Sequence, residues 1–218
     1  MNGASPTVRA AKKRSPRSAN GRDEAAMSSR EKILLAARKT FGQYGYADTT
    51  IKKISEEAGV AFGLIPHYFG SKEKLFVQTS VGVIDEVMAR LSKRTALASN
   101  GLDAVMHFME AYLACSVDPN LHFMILARCS PYSDVKIDIN KDDIIFKFRE
   151  LIDCLDGHIA RGVEDGSIGK CAPANMAEIL FGLIVGSVRT QLMAPYCPLG
   201  FYEQVLAFAR SSLSRGLR

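Results

Sequence analysis

No two of the five cysteines, at 115, 129, 154, 171 and 197, stand in a CxxC or other paired spacing. They read as free thiols of a reducing compartment, which excludes a disulfide scaffold. The longest apolar run, Ile179 to Val188, lies between Glu178 and Arg189. It is half the roughly 20 residues a bilayer span needs, so no membrane-spanning segment is expected. The first 27 residues contain no apolar core of a signal peptide, which argues against export and for a cytoplasmic chain. HExxH, GxxxxGK[ST] and GxSxG are all absent, and the four histidines at 67, 107, 122 and 158 are isolated. A zinc site, a phosphate cradle and a nucleophile elbow are thereby excluded as local motifs, so no enzyme, metal or cofactor is expected. No stretch sustains period-two alternation, and no internal repeat is present.

The chain has 218 residues and 23.8 kDa, enough to bury a core. Apolar residues at 47% and charged residues at 23% mark most of it as globular. The net charge of +5 is uneven. Residues 1–27 carry six Lys/Arg and two Asp/Glu, residues 28–80 eight and five, and residues 81–218 fourteen and sixteen. A basic front and a mildly acidic remainder suit a chain that meets a polyanion at one end, although a solvated basic tail gives the same sum. Residues 1–27 hold no aromatic residue and are rich in Ala, Ser, Arg and Lys. They cannot bury enough apolar surface to offset ordering, and are expected to be a disordered tail; a transit peptide has a similar composition.

From residue 28 the patterning is helical. Ser28 with Glu31 fits a capping box, and Ile33, Ala37, Phe41 and Tyr44 fall on one face. Gly45 is placed to end a helix over 28–44. Thr49 or Thr50 caps a short second helix with Ile51, Ile54 and Ala58 inward, ended by Gly59. Val60 opens a third segment through Phe69. Ser71 caps a long helix over 72–97, with Leu75, Phe76, Val83, Ile84, Val87, Met88 and Leu91 apolar. Further helices are expected at 101–117, 121–130, 139–165, 174–194 and 199–215. Breaks fall at Asn100-Gly101, Asp118-Pro119, Pro131, Gly166, Pro173 and Pro195 to Pro198. The fold class is all-α.

The second and third helices, joined at Ala58-Gly59-Val60, have the spacing of a helix-turn-helix. In that arrangement one short helix crosses the DNA backbone and the next enters the major groove, where each base pair shows a distinct edge. The stretch TTIKKISEEAGVAFGLIPHYFGSKEKLF, with Phe41 and Gly45 before it, resembles the DNA-binding domain of the tetracycline-repressor (TetR-like) family. The matching residues are Thr49-Thr50, Ile54, Ala58-Gly59-Val60, Gly63, Tyr68-Phe69 and Ser71-Lys72-Glu73 with Leu75. They span roughly residues 30–76.

The resemblance implies a division into a basic tail at 1–27, a helix-turn-helix head at 28–74, and a ligand-binding and dimerisation body at 75–218. It implies DNA contacts at Thr50 and Lys52, at Ala61, Phe62, Gly63 and Leu64 along the front of the recognition helix, and at Pro66, His67, Tyr68 and Lys72. Thr50 would meet a phosphate and Lys72 would be a point charge on one. Gly63 would let the backbone approach closely, and Phe62 could only pack on thymine methyl or sugar. Ile54, Ala58, Val60, Ile65 and Phe69 are expected in the core.

Two residues depart from the family pattern. Pro66 stands where an aromatic is common, and proline is tolerated only in a helix's first turn, so the recognition helix should start late or be distorted. Lys74 replaces a more usual acid and weakens the next helix's cap. The tail cations Arg9, Lys12, Lys13, Arg14 and Arg17 could follow phosphates or enter a minor groove, or remain unengaged.

In the body, the resemblance implies a homodimer through helices 174–194 and 199–215. The first contains Ile179, Leu180, Phe181, Leu183, Ile184, Val185 and Val188 and needs cover on nearly every side. Gly182 and Gly186 lie on one face and would let axes approach, and Phe201, Val205, Phe208 and Leu213 add to the seam; burial within one subunit is the other explanation. A ligand pocket implied for the middle helices has Met88, His107, Tyr112, Cys115, Phe123, Cys129 and Phe148 as candidate lining. These suit an apolar or aromatic small molecule, although each also suits ordinary core. The resulting expectation is a repressor released from a palindromic operator by a small molecule; the alternative is an effector-independent DNA-binding protein.

Overall fold

A computed structural model describes residues 27–129, 140–194 and 196–215. The tail cations and the breaks expected at Pro131 and Pro195 lie outside these residues. Among the described residues the secondary structure is helical throughout. The helices are α1 (Ser29–Tyr44), α2 (Ile51–Ala58), α3 (Leu64–Phe69), α4 (Lys72–Thr95), α5 (Gly101–Val117), α6 (Met124–Cys129), α7 (Asp142–Glu164), α8 (Pro173–Met193) and α9 (Phe201–Arg215).

Local chemistry sets the helix ends. Ser28 and Glu31 form the capping box: the Glu31 amide donates to Ser28 Oγ at 3.3 Å, and the Ser28 amide donates to the Glu31 carboxylate at 2.8 Å. Gly45, at φ 77°, donates its amide to the Phe41 carbonyl and stops α1. Thr50, not Thr49, caps α2, accepting from the Lys53 amide at 3.2 Å. Ser71 caps α4 through the Lys74 amide at 3.1 Å, so Lys74 at that position leaves the side-chain cap in place. Pro173, expected as a break, is instead the first residue of α8, where its missing amide would have had no partner. The helix expected at 121–130 is shorter. Turns occupy its start, and His122 takes a left-handed φ of 53°.

Helix α4 runs without interruption across the boundary expected at residues 74 and 75. It packs on α1 and α3 at its front and on α5, α6 and α7 beyond. Helix α7 packs along α8, α9 crosses α5 and α8, and α6 is wedged among α1, α4 and α8. One continuous apolar core links Ile33, Phe41 and Ile54 at the front to Phe108, Phe148 and Phe181 behind. One inward assignment fails: Tyr44 is 42% exposed, whereas Ala58 and Val60 are half-buried and pack against the core.

Helix α8 alone among the described residues is long and apolar enough, by length and composition, to cross a membrane. The exclusion drawn from the run Ile179–Val188 therefore fails on length. The fold buries 44% of that window.

Two histidines make stability depend on pH. Burial, with Lys39 and Arg38 nearby, holds His122 below its ordinary 6.5, against smaller opposing effects of Asp118 and Glu57. Burial and Arg161 act alike on His158. Both rings are neutral well above 6.5 in either state, so they contribute nothing there. As pH falls through 6.5 the unfolded chain binds protons before the folded chain does, and stability falls until the lowered values are passed. The melting temperature is expected to drop between pH 7.5 and 5.5, with a shallower slope in His122→Asn, since asparagine tolerates the left-handed backbone. Equal slopes in the two proteins would remove His122 from this account. Asp118, held low first by its hydrogen bond from Arg90, acts in a separate window below 3.8.

Candidate nucleic-acid interface

The front of the molecule is built around an aromatic triangle. Phe41 of α1 and Phe76 of α4 meet edge to face with centroids 5.0 Å apart, and Tyr46 lies 5.2 Å from Phe76 and 6.2 Å from Phe41. Tyr46 belongs to the turn between α1 and α2. Thr49 fastens that turn, donating to the carbonyls of Gly45 at 2.6 Å and Thr40 at 3.2 Å.

Lys72 closes the same turn. Its ammonium donates to the carbonyls of Tyr46 and Thr49, each at 3.0 Å, and lies 4.2 Å from the Tyr46 ring centre. This cation ties the α1–α2 turn to the start of α4 with two of its three donors, and the half-buried ammonium keeps a third. The sequence shows a lysine at the front of a helix, but not the two carbonyls that face it after folding.

The turn between α2 and α3 follows from Gly59, at φ 63° and ψ 35°. Its amide reaches the carbonyls of Glu56 and Ser55, and the Val60 amide also reaches Ser55. Helix α3 then starts late, at Leu64. Pro66 sits in its first turn, where an amide is not needed. The Phe62 carbonyl, which an amide at 66 would have bonded, accepts from Ile65 at 3.3 Å instead. Ile65 and Phe69 are buried and seat α3 on the core.

That seating decides what α3 presents. Thr50, Lys52, Ala61, Phe62, Gly63, Pro66, His67 and Tyr68 are all exposed, and Leu64 is half-buried. Phe62 is 58% and Tyr68 43% exposed, large fractions for apolar rings. The His67 and Tyr68 rings lie 5.2 Å apart. Lys52 is 78% exposed and only loosely associated with Glu56 at 3.9 Å. Lys53 is turned aside, donating to the Asp48 carbonyl at 2.9 Å and lying 4.5 Å from the centre of the Tyr44 ring. The outcome is an exposed ridge with the rings of Phe62, His67 and Tyr68, a glycine with nothing within 4 Å of where its Cβ would stand, and Lys52 exposed nearby on α2.

The candidate ligand residues are less well gathered. Tyr112 meets Phe123 at 5.4 Å and Phe181 at 5.7 Å, and Phe181 meets Phe148 at 6.3 Å. Phe181, assigned from sequence to the dimer helix alone, is thus the ring that joins the others. Its place on a nearly uniformly apolar helix gave no sign of which way it faced. Met88 is half-buried against the core. Burial pushes the fully enclosed Cys129 thiol up to about 12, and burial also raises Cys115, so both thiols are neutral. Cys115 lines a surface cleft of about 560 Å³ with Arg90, Arg94, Glu110 and Asp118, and none of the clustered rings lines it. His107 is half-buried, and its Nδ1 is buried without a hydrogen-bond partner. Among the described residues, no group of three or more His, Cys, Asp or Glu is placed to hold a metal ion.

Residues 33–79 match the family described as bacterial regulatory proteins, tetR family. The HTH-type transcriptional repressor AcnR of Corynebacterium efficiens is 37% identical over 83 residues, 38% of this chain and 41% of that protein. The HTH-type transcriptional regulator HbdR of an Aromatoleum species is 34% identical over 104 residues, 48% of this chain and 45% of that one. The chain thus spans less than half the length of these relatives. Solved structures match more of it. The regulator FadR of Bacillus subtilis, in complex with stearoyl-CoA, superposes with a TM-score of 0.71 at 20% identity, over 84% of this chain and 98% of its own. AibR, in complex with isovaleryl coenzyme A and operator DNA, gives 0.69 at 15% identity, over 86% and 99%. At such identities the likeness is one of fold. The all-helical architecture is therefore that of these structures, and the match to the tetR family of bacterial regulatory proteins lies in the N-terminal residues 33–79.

Proposed function

We propose that the chain is a cytoplasmic transcriptional repressor that binds double-stranded operator DNA as a homodimer and releases it when a small molecule occupies its body. One observation carries this reading: in a tetR-family domain, the side chains of α3 that do not seat it in the core form one exposed ridge. Thr50, Lys52, Ala61, Phe62, Gly63, Leu64, Pro66, His67 and Tyr68 make up the DNA face, and residues 28–74 are the head that holds it. Pro66 is exposed on this ridge, so it contributes shape there and no amide.

The homodimer is supported by what α8 and α9 leave uncovered. Ile179 is 57%, Met193 50% and Phe208 63% exposed. A Cβ added at Gly182 or Gly186 would meet nothing within 4 Å. Two copies joined there by a two-fold axis would present two α3 ridges to successive turns of a palindromic site.

For the effector, the rings of Tyr112, Phe123, Phe148 and Phe181 gather into one apolar cluster in the body, and His107, with a partnerless Nδ1, lies on the same helix as Tyr112. Stearoyl-CoA and isovaleryl-CoA, the ligands of FadR and AibR, are acyl thioesters. An acyl arm has the apolar character such rings enclose, which makes acyl thioesters the first class to test. The close mutual packing of these rings favours the second reading, an effector-independent DNA-binding protein of the same fold.

Selection from a random pool of duplexes tests the whole reading. The wild type is expected to enrich an inverted repeat. An Ile179→Glu, Phe208→Glu double variant is expected to sediment as a monomer and lose that preference, because two charges would have to be desolvated in the seam. A pool left unenriched at low salt would defeat the function proposed. Enrichment by a variant that remains dimeric would defeat only the assignment of the seam.

A further inference from the structure

We infer that Arg128 is the positioning residue through which the body holds the DNA-binding head by way of α6, in addition to the continuous helix α4. This rests on the DNA-binding reading above. The end of a helix leaves its last carbonyls without partners inside the helix, and a nearby cation satisfies them and opposes the helix dipole. Helix α1 has no basic residue in its last turn. Arg128, at the far end of α6, supplies the cation: its Nε donates to the Gly42 carbonyl at 2.8 Å and its guanidinium also donates to the Gln43 carbonyl at 3.2 Å. A planar fork can take two adjacent carbonyls at once, which lysine's single nitrogen cannot do with the same geometry.

The packing beside this clamp is close. A Cβ on Gly42 would stand 3.4 Å from the Cβ of Met124 and 3.5 Å from the Ile125 amide nitrogen, so the start of α6 rests nearly on the backbone of α1. The rest of α6 is anchored behind, where Ile125, Leu126 and Cys129 are buried and the helix packs on α4 and α8. Helix α6 therefore touches the element assigned to the dimer seam on one side and the end of α1 on the other. Forward of the clamp the path is short and rigid. Gly45 turns the chain, Thr49 bonds the Gly45 carbonyl, Lys72 bonds Tyr46 and Thr49, and Thr50 caps α2. A displacement of α6 has no loose segment in which to dissipate before it reaches the base of the helix-turn-helix.

Native-state hydrogen exchange on the full chain tests this, with the duplex that the wild type itself selects as the probe. In the wild type, DNA is expected to slow amides of α3 and also those of α6, the latter on the order of tenfold. In Arg128→Ala the slowing of α3 is expected to persist while that of α6 falls to little or nothing. Arg128→Lys, which keeps the charge but one point of attachment, is expected to lie between them. A merely structural arginine would change melting temperature without separating the two responses. Slowing of α6 in Arg128→Ala equal to that in the wild type would overturn the inference, and so would a wild type in which α3 responds and α6 does not. If no duplex slows α3 even in the wild type, the DNA-binding reading fails and takes this inference with it. Should Arg128→Ala not fold, Arg128→Gln, which keeps one donor, is read by the same comparison.

Discussion

Gly101→Ala is expected to lose most of the stability of the fold, although the change is one methyl group at a helix start. A Cβ at residue 101 would fall on the backbone N and Cα of Gly162 and lie 2.8 Å from the carbonyl oxygen of His158. Overpacking against side chains costs about 1–3 kcal/mol because rotamers can shift; backbone inside α7 has no such freedom, so the cost here lies beyond that range. The crossing also carries polar bonds. The Gly101 amide donates to Asp165 at 2.7 Å and the Leu102 amide to Ser167 Oγ at 3.0 Å, so the end of α7 caps the start of α5. Forcing the helices apart breaks both bonds, and a lost cap costs about 1 kcal/mol. The sum is a large part of the roughly 5–15 kcal/mol that keeps a protein folded. A melting temperature lower by roughly 10 °C or more is expected, at about 2–4 °C per kcal/mol for a chain of this size. The matched control has the opposite sign. Gly157 is an exposed residue within α7, and a Cβ there meets nothing within 4 Å. Gly157→Ala should stabilise by about 0.5–1 kcal/mol through helix propensity alone. If the two variants melt together, the close crossing of α5 and α7 is not a feature of the protein.

Gly63→Glu is expected to abolish DNA binding and leave the fold intact. Gly63 precedes α3 with ordinary helical torsions, φ −66° and ψ −16°, and a Cβ there meets nothing within 4 Å. A carboxylate at a helix N-terminus is favourable or neutral for the helix, so melting should not fall. On the proposed face the same carboxylate would be pressed against phosphates. Like charges opposed across an interface cost several kcal/mol, about 100-fold or more in affinity. The measurement is a binding titration on the selected duplex at fixed salt, beside a thermal melt. Affinity within about threefold of the wild type, a cost well under 1 kcal/mol, would mean that the α3 ridge is not the DNA face. The effect is clean because Gly63 takes part in no packing, which separates it from Ile65 and Phe69 on the same helix.

The contrast between these residues shows how far the sequence could be read. Capping pairs such as Ser28 with Glu31, the stop at Gly45 and the turn at Gly59 are local events within a few residues. Their chemistry is complete in the sequence, and the structure places them as expected. Pro66 was also legible: a residue without an amide had to lie in a first turn, and α3 begins where that requires. The candidate ligand residues were not legible in the same way, because an aromatic at helical spacing gives its face only relative to its own helix. Phe181 and Tyr112 are 69 positions apart and meet only when α5 and α8 pack.

By itself, then, the sequence determined the all-helical class, the helix ends and the turn of the N-terminal motif, since each depends on periodicity or on hydrogen bonds between near neighbours. The tertiary structure alone decided that Lys72 faces carbonyls inside the turn and that α5 and α7 cross without side chains between them. It alone also decided that Arg128 reaches back 86 residues to hold the end of α1. Those outcomes depend on which surfaces of distant segments meet, and a one-dimensional pattern carries no distance between segments that the chain has yet to bring together.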